Sequence, residues 1–280
     1  MSASIIPDSI NLPDLTEKIV KIAVSVGEKV CGYYERYLRN DSLQVDHKSD
    51  RSPVTEVDLF SHQMLEKQLQ SLLPELPLIS EEVDASPLAI RQTWQRFWMI
   101  DPLDGTREFL HKQNEFTINI ALIENNEAVI GVICVPIAGE CYLAYRGGGA
   151  FKQSKDQTRK KLTTRQFDSN HFRILASRFH ASNHLHEFLQ KLPHHEVIHA
   201  GSALKFCWLA EGKADMYPRL SPTSEWDTAA GQCIVEEAGG QIVDMQFNRL
   251  RYNAHEDLLN PSFIAIADPG YDWSSVFNAK

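Results

Sequence analysis

Two carboxylates, Asp101 and Asp104, punctuate the run Trp98-Met-Ile-Asp-Pro-Leu-Asp-Gly-Thr106. Residues 97–100 read as a buried strand, because four large apolar side chains in a row suit a sheet interior. Asp101 falls where that strand leaves the core. Pro102 has no N–H to donate, so the ladder is expected to stop there. Asp104-Gly105 is a turn pair, with a glycine free to take the positive φ of a sharp reversal. The bend thus carries two carboxylates with the Leu103 carbonyl between them, the hard oxygen donors that Mg²⁺ prefers. Gly105 and Thr106 follow at a candidate helix start, where free N–H groups can seat a phosphate. Turn chemistry alone would explain each of these residue types, so the other acidic positions decide between a turn and a site.

Leu78-Ile79-Ser80 is a second short apolar strand that runs into acid, Glu81-Glu82, and two such strand ends point to one shared cleft. Thr55 opens a helix with Asp58 at its third residue, a capping box that needs no metal. Glu225-Trp226-Asp227 precedes Thr228-Ala-Ala-Gly231. Capping again accounts for Asp227, while the small residues would let that helix start approach an anion or a metal-bound anion. Gly201-Ser202-Ala-Leu-Lys205 is a strand-to-helix turn with a hydroxyl and an ammonium one turn apart; an ordinary cap and a solvated lysine explain it equally. Ser177-Arg-Phe-His180 lies at a strand end, followed by His184 and His186. No acid accompanies these histidines locally, which disfavours a histidine metal site.

The elements that must position these residues follow from pattern. The 280 residues, 43% hydrophobic and 23% charged, are those of a soluble globular chain near the size where one core becomes two. With 28 basic against 37 acidic residues, the net charge of −9 excludes a surface built to coat nucleic acid. A small anionic substrate stays open, because a bound metal reverses the local sign. No stretch reaches the length of a membrane span and the start lacks a signal-peptide pattern, so no integral membrane association is expected. Five cysteines without CxxC spacing read as core thiols of a reducing cytoplasm.

Asp14 is expected to open the first helix, with Pro13 before it and Glu17 as capping partner. Leu15, Ile19, Ile22, Ala23, Val26 and Val30 recur at helical spacing and give it one apolar face. After Thr106, residues 116–123, 128–135 and 141–145 predict an antiparallel meander ended by Gly147-Gly148-Gly149. No Gly-Lys-Ser/Thr follows those glycines, so they are a turn and not a phosphate loop. The polar, basic residues 153–170 read as the connection between two halves. Beyond it, strands at 173–176, 196–199, 214–217, 241–243 and 263–267 alternate with helices at 182–191, 202–211 and 227–238. That alternation predicts a largely parallel sheet. The expected fold class is α/β: an α+β metal-binding domain with a meander at 1–152 and an α/β substrate-binding domain at 153–280.

Four ordered motifs, Thr55-x-x-Asp58, Glu81-Glu82, Asp101-Pro-Leu-Asp-Gly-Thr106 and Trp226-Asp227 before Ala-Ala-Gly, together resemble the inositol monophosphatase superfamily from about residue 50 onward. Gly105-Thr-Arg-Glu-Phe109, Asn114-Glu-Phe-Thr-Ile-Asn-Ile-Ala121, Gly201-Ser-Ala-Leu-Lys-Phe-Cys207 and Tyr217-Pro-Arg219 are similar to its bacterial 3'(2'),5'-bisphosphate nucleotidase branch. The resemblance implies a layered α-β-α-β-α sandwich and a Mg²⁺-dependent, lithium-sensitive phosphatase of sulfur assimilation. Its substrate would be a small bisphosphorylated nucleotide, adenosine 3',5'-bisphosphate or the 5'-phosphosulfate analogue, and its partner no nucleic acid. Inositol-1-phosphate and fructose-1,6-bisphosphate phosphatases share the same metal core and stay as alternatives. A non-catalytic sensor of metal or nucleotide is disfavoured, since binding alone needs no water-orienting trio.

By the same resemblance, Glu81, Asp101 and the Leu103 carbonyl hold a first Mg²⁺, while Asp101, Asp104 and Asp227 hold a second. Room for a third, weaker ion is implied near Glu81. Thr106, hydrogen-bonded toward Asp58, would orient the attacking water with Glu81 in contact. Gly105, Thr106 and Asp227 would also touch the substrate. His180, Ser202, Lys205 and Arg219 would hold the nucleotide and its second phosphate. A peripheral position on the inner membrane face is compatible with the resemblance, although no amphipathic anchor is visible.

Overall fold

The structure is a computed structural model that describes residues 10–40, 42–47, 53–178 and 183–273. It begins with α1 (Leu12–Leu38), a hairpin of β1 (Val45–His47) and β2 (Pro53–Thr55), and α2 (Glu56–Leu72). Next come β3 (Leu78–Ser80), α3 (Leu88–Arg91), β4 (Arg96–Asp104) and α4 (Thr106–Leu110). A meander follows: β5 (Thr117–Glu124), β6 (Glu127–Val135), β7 (Glu140–Tyr145), β8 (Gly149–Gln153) and β9 (Arg159–Lys161). The rest of the chain supplies β10 (Arg173–Ser177), α5 (Asn183–Gln190), β11 (Glu196–Ala200), α6 (Leu204–Ala210) and β12 (Met216–Arg219). It closes with α7 (Glu225–Glu237), β13 (Gln241–Asp244) and β14 (Phe263–Ile266).

Strands β3 to β9 lie in sequence order in a seven-stranded sheet, antiparallel throughout except for the parallel β3–β4 pair. Side chains alternate between two cores along each strand. Trp98 and Ile100 of β4 face α1 and α2, while Phe97 and Met99 face α6 and α7. The second sheet has the order β11-β10-β12-β14-β13. Its far face packs Phe172, Ile174, Met216 and Ile264 beneath Phe188 and Leu189 of α5. The layers are therefore α1/α2, sheet, α6/α7, sheet, α5, the expected α-β-α-β-α sandwich of the α/β class.

The second sheet is mixed where a largely parallel one was expected. β11, β10 and β12 run parallel, but β14 pairs antiparallel with both β12 and β13. Helix α7 returns the chain from β12 to β13 in the same direction, leaving a gap one strand wide. β14 fills it from a loop, and without a helical crossover it can enter only in the opposite sense. The three glycines do not end the meander: Gly149 begins β8, and β9 lies within the stretch expected to be a connection. Arg159 of β9 then pairs with Glu17 at 2.5 Å, which removes Glu17 from the capping role expected of it. Asn11 caps α1 instead, its side chain accepting from the Asp14 N–H at 3.2 Å. The apolar face of α1 is spent on the seven-stranded sheet and is not offered to a membrane.

One core joins the two sheets across residue 152, holding Phe97 and Ile123 together with Phe206, Tyr217 and Phe263. Its tightness explains the small residues at the start of α7. A Cβ on Gly131 of β6 would stand 2.3 Å from the Ala230 carbonyl oxygen, and one on Gly231 would stand 2.5 Å from the Phe206 ring. The Ala-Ala-Gly run thus serves the approach of α7 to strand and helix.

Candidate active site

The ends of β3 and β4 lie side by side. The Glu81 N–H reaches the Ile100 carbonyl at 3.4 Å, which extends the parallel pairing and brings Glu81 beside Asp101. Pro102 does not end the ladder as expected. Strand β4 continues to Asp104 through a bulge, Asp101 opposing Asn119 and Asp104 opposing Thr117, and the proline sits in the bulge where no ladder N–H is required. Asp101 is 1% exposed; its Oδ1 accepts the Leu103 N–H at 3.1 Å and its Oδ2 is buried without a partner. Burial first, then the Glu81, Asp104 and Asp227 charges, push its carboxyl well above the usual aspartate range.

Helix α7 brings the third acid. Ser224 caps it, and Asp227 Oδ2 accepts from the Ser224 N–H at 3.0 Å and the Thr223 hydroxyl at 2.5 Å. Carboxylate oxygens of Glu81, Asp101 and Asp227 all lie within 4.8 Å of one another. Asp104 lies outside that trio but lines the same cleft, its Oδ2 held by the Ala203 N–H at 2.6 Å and the Asn119 amide at 3.2 Å. Burial and the Asp227 charge push its pKa up to about 7. Converging carboxylates with one orphaned buried oxygen suit a hard divalent cation, which would lift the repulsion that otherwise raises these pKa values.

Gly105 turns the chain from β4 into α4 at φ +96°. Thr106 then donates its hydroxyl to Asp58 Oδ1 at 2.9 Å, with the Leu103 carbonyl at 3.3 Å. Asp58 is 1% exposed, and its other oxygen is locked by the Thr55 N–H at 2.8 Å and hydroxyl at 2.5 Å. It stands behind Thr106, away from the acidic trio, as a capping residue that also orients a hydroxyl.

The cationic wall comes from α6 and from β12 of the second sheet. Lys205 is buried, not solvated: its Nζ donates to the Ser202 carbonyl at 2.6 Å and the Ala200 carbonyl at 3.3 Å, over the Tyr217 ring at 5.3 Å. Ser202 takes a left-handed φ of +44°, so α6 starts at Leu204 and not at Ser202. Arg219 at the end of β12 donates to Ser177 Oγ and to the Pro222 carbonyl, each at 3.0 Å, and its buried Nε has no partner. Both walls face one cleft of about 320 Å³ that also reaches Leu103, Gly105, Ser202 and Trp226. His180 lies outside the described residues.

The sequence matches the inositol monophosphatase family over residues 12–272. The chain belongs to that family. Among curated members, the 3'(2'),5'-bisphosphate nucleotidase CysQ of Salmonella typhimurium is 40% identical over 249 residues, 89% of this chain and 98% of the relative. The Haemophilus influenzae protein of the same name is 37% identical over 94% of this chain and 96% of its own length. Among solved members, CysQ from Bacteroides thetaiotaomicron superposes with a TM-score of 0.77 at 36% identity, covering 92% of this chain and 99% of that one. The chain therefore has the family's fold, with an acidic cluster in its cleft. No helix among the described residues is long and apolar enough to cross a membrane.

Several supporting residues give little sign of their role in the sequence. Thr223 and Asn119 tether the two acids Asp227 and Asp104, and Ser177 steers Arg219. An asparagine inside the largely apolar strand at 116–123 is a usable signal for the second; the other two are ordinary hydroxyls, one in a loop and one at the end of β10. Glu108, 5% exposed on the cleft wall, has no role among those implied by the resemblance.

Proposed function

We propose that this chain is a Mg²⁺-dependent 3'(2'),5'-bisphosphate nucleotidase, releasing the 3'-phosphate of adenosine 3',5'-bisphosphate, and of its 5'-phosphosulfate analogue, in the cytoplasm during sulfur assimilation. The reading rests on one observation: a single cleft opposes an acidic metal-binding wall to a wall carrying Lys205 and Arg219. A substrate with two phosphates matches that division, one phosphate at each wall. The CysQ relatives support the same substrate class.

Two Mg²⁺ ions are proposed, one held by Glu81, Asp101 and the Leu103 carbonyl, the other by Asp101, Asp104 and Asp227. When bound, they supply Lewis-acid neutralisation of charge on the scissile phosphate and the departing oxygen. Everything else falls to the chain. Because Thr106 gives its proton to Asp58, its hydroxyl can only accept from the attacking water, which fixes the water's orientation. Glu81 offers a second acceptor for that water, and Gly105 lets the backbone come close to the phosphate. Lys205 has two of its three N–H donors on carbonyls and keeps one for the second phosphate, as the unpartnered Arg219 Nε does. Ser202 adds a hydroxyl to that wall.

Phosphate release from adenosine 3',5'-bisphosphate, inositol 1-phosphate and fructose 1,6-bisphosphate, with and without Mg²⁺, tests the proposal. It expects the nucleotide to be preferred and every activity to vanish in EDTA. Preference for inositol 1-phosphate would move the assignment to the inositol branch with the metal wall intact.

A further inference from the structure

Glu108 lines the cleft, yet the chemistry above leaves it idle. It is 5% exposed, and among the described residues no side chain donates to its carboxylate, which finds only its own backbone N–H. Lys205 acts on it through space without an ion-pair contact. A buried carboxylate short of donors is costly, and the cost is relieved when a ligand brings one.

Its seat is narrow and specific. A Cβ on Gly201 would stand 2.6 Å from one carboxylate oxygen, and a Cβ on Gly105 would stand 3.3 Å from the other. Two glycines therefore make room for this carboxylate, on the turn that leads to Thr106 and on the turn that leads to Ser202. The Gly201 N–H is turned elsewhere, to Glu115 at 2.8 Å. Glu108 thus sits beside Gly105, next in sequence to the metal-wall Asp104 and the water-orienting Thr106. This position on the cleft lining suits a donor close to the scissile phosphate in the substrate better than the distant base amine. A second phosphate at this point would be repelled.

We propose that Glu108 reads substrate, its carboxylate accepting a hydrogen bond from the hydroxyl on the carbon adjacent to the scissile phosphate ester. On a ribose this is the 2'-hydroxyl beside a 3'-phosphate, or the 3'-hydroxyl beside a 2'-phosphate, so one carboxylate serves both positional isomers. The inference deepens the nucleotidase reading and, in its substrate, rests on it.

The test compares adenosine 3',5'-bisphosphate with its 2'-deoxy analogue in the wild type, Glu108→Gln and Glu108→Ala. A hydrogen bond to a charged acceptor gives the wild type a preference for the ribose substrate of about ten- to a hundredfold in kcat/KM. Glu108→Ala is expected to compress that preference to within about threefold, by losing activity on the ribose substrate alone, and Glu108→Gln to leave an intermediate preference. A preference that survives in Glu108→Ala, or equal losses on both substrates, overturns the proposal. So does recovery of the variant by raised Mg²⁺, which would make Glu108 a metal ligand. The pair 2-glycerophosphate and isopropyl phosphate asks the same question without a nucleoside. Its compression in Glu108→Ala upholds the role of Glu108 even where wild type fails on the nucleotides, and such failure counts against the nucleotidase reading alone.

Discussion

Helices α2 and α7 begin with the same device and use it to different ends. Each has a hydroxyl residue at the N-cap and an aspartate three residues on, and each aspartate spends Oδ2 on the cap. Asp58 takes the Thr55 N–H and hydroxyl, and Asp227 takes the Ser224 N–H and the Thr223 hydroxyl. What the cap leaves over is one carboxylate oxygen, rigidly held. For Asp58 that oxygen meets the Thr106 hydroxyl at 2.9 Å. Asp227 instead joins Glu81 and Asp101 within 4.8 Å. A capping box is thus a way to immobilise half a carboxylate, and the neighbours decide whether the other half meets a hydroxyl or joins an acidic cluster.

The sharpest break in this symmetry is Asp227→Asn. Asparagine keeps an acceptor for the cap, so the melting temperature should move by only a few degrees, while turnover falls by more than about a hundredfold because a metal-facing charge is lost. Near-normal phosphate release from a folded Asp227→Asn protein would remove Asp227 from the chemistry. Asp58→Asn is the matched experiment. A partner standing behind a reacting group is worth about 10- to 100-fold, so kcat should fall by that amount with the Mg²⁺ requirement unchanged. If half-saturation by Mg²⁺ rises as much as it does in Asp227→Asn, the two helix starts do the same job after all.

Acid should separate the metal wall from the hydroxyl behind it. Asp104 has a pKa raised to about 7 by burial and by Asp227, whereas Asp58 turns its remaining oxygen to a hydroxyl. In the metal-free protein the folded state therefore holds a proton on Asp104 that the unfolded chain gives up near its ordinary value of 3.8. The folded state binds more protons in that window, so this group's contribution to stability declines as pH rises from about 4 to 7. Mg²⁺ must displace that proton, and its binding should weaken by up to about tenfold per unit as pH falls below 7. Thermal shift against Mg²⁺ concentration at a series of pH values reads this; a pH-independent midpoint between 5 and 8 would refute it.

The smallest effects belong to the caps themselves. Thr55→Ala removes an N-cap and should cost about 1 kcal/mol in denaturant unfolding, and Thr223→Ala, which removes one hydrogen bond to the capping Asp227, about as much. Only Thr223→Ala should also shift Mg²⁺ half-saturation, by a few fold, because its hydroxyl tethers an acid of the cluster. Identical Mg²⁺ curves for the two variants would erase the distinction.

Several parts of this arrangement are legible in the amino-acid pattern. The strand through 97–100, the strand ending before Glu81 and the Thr55–Asp58 capping box rest on local chemistry, and each is found where its pattern puts it. Strand β4 nevertheless runs past Asp101 to Asp104, and α7 begins at Glu225 behind a Ser224 cap, two residues before the expected start. Local rules fail where partners come from afar. A proline such as Pro102 ordinarily ends a strand, yet β5 pairs on through a bulge that has no need of its N–H. Lys205 has the spacing of a solvated lysine, but Ala200 and Ser202 supply carbonyls beneath it. The small residues after Asp227 carry a demand the local pattern does not show, the close packing of Gly131 and Phe206 against them.

The sequence alone determined the carboxylates, their spacing and the devices that stiffen them, because capping, turn formation and strand exit act within a few residues. It also determined two apolar faces along each central strand, and hence a sheet covered on both sides. Tertiary structure decided which oxygens converge, that Asp58 meets a hydroxyl while Asp227 joins Glu81 and Asp101, and that Lys205 and Glu108 are buried along one cleft. Those outcomes depend on α7 lying between two sheets and on β14 entering beside β12. Such contacts join residues from about fifty to well over a hundred positions apart, and no local pattern encodes the distance across which a carboxylate will meet its partner.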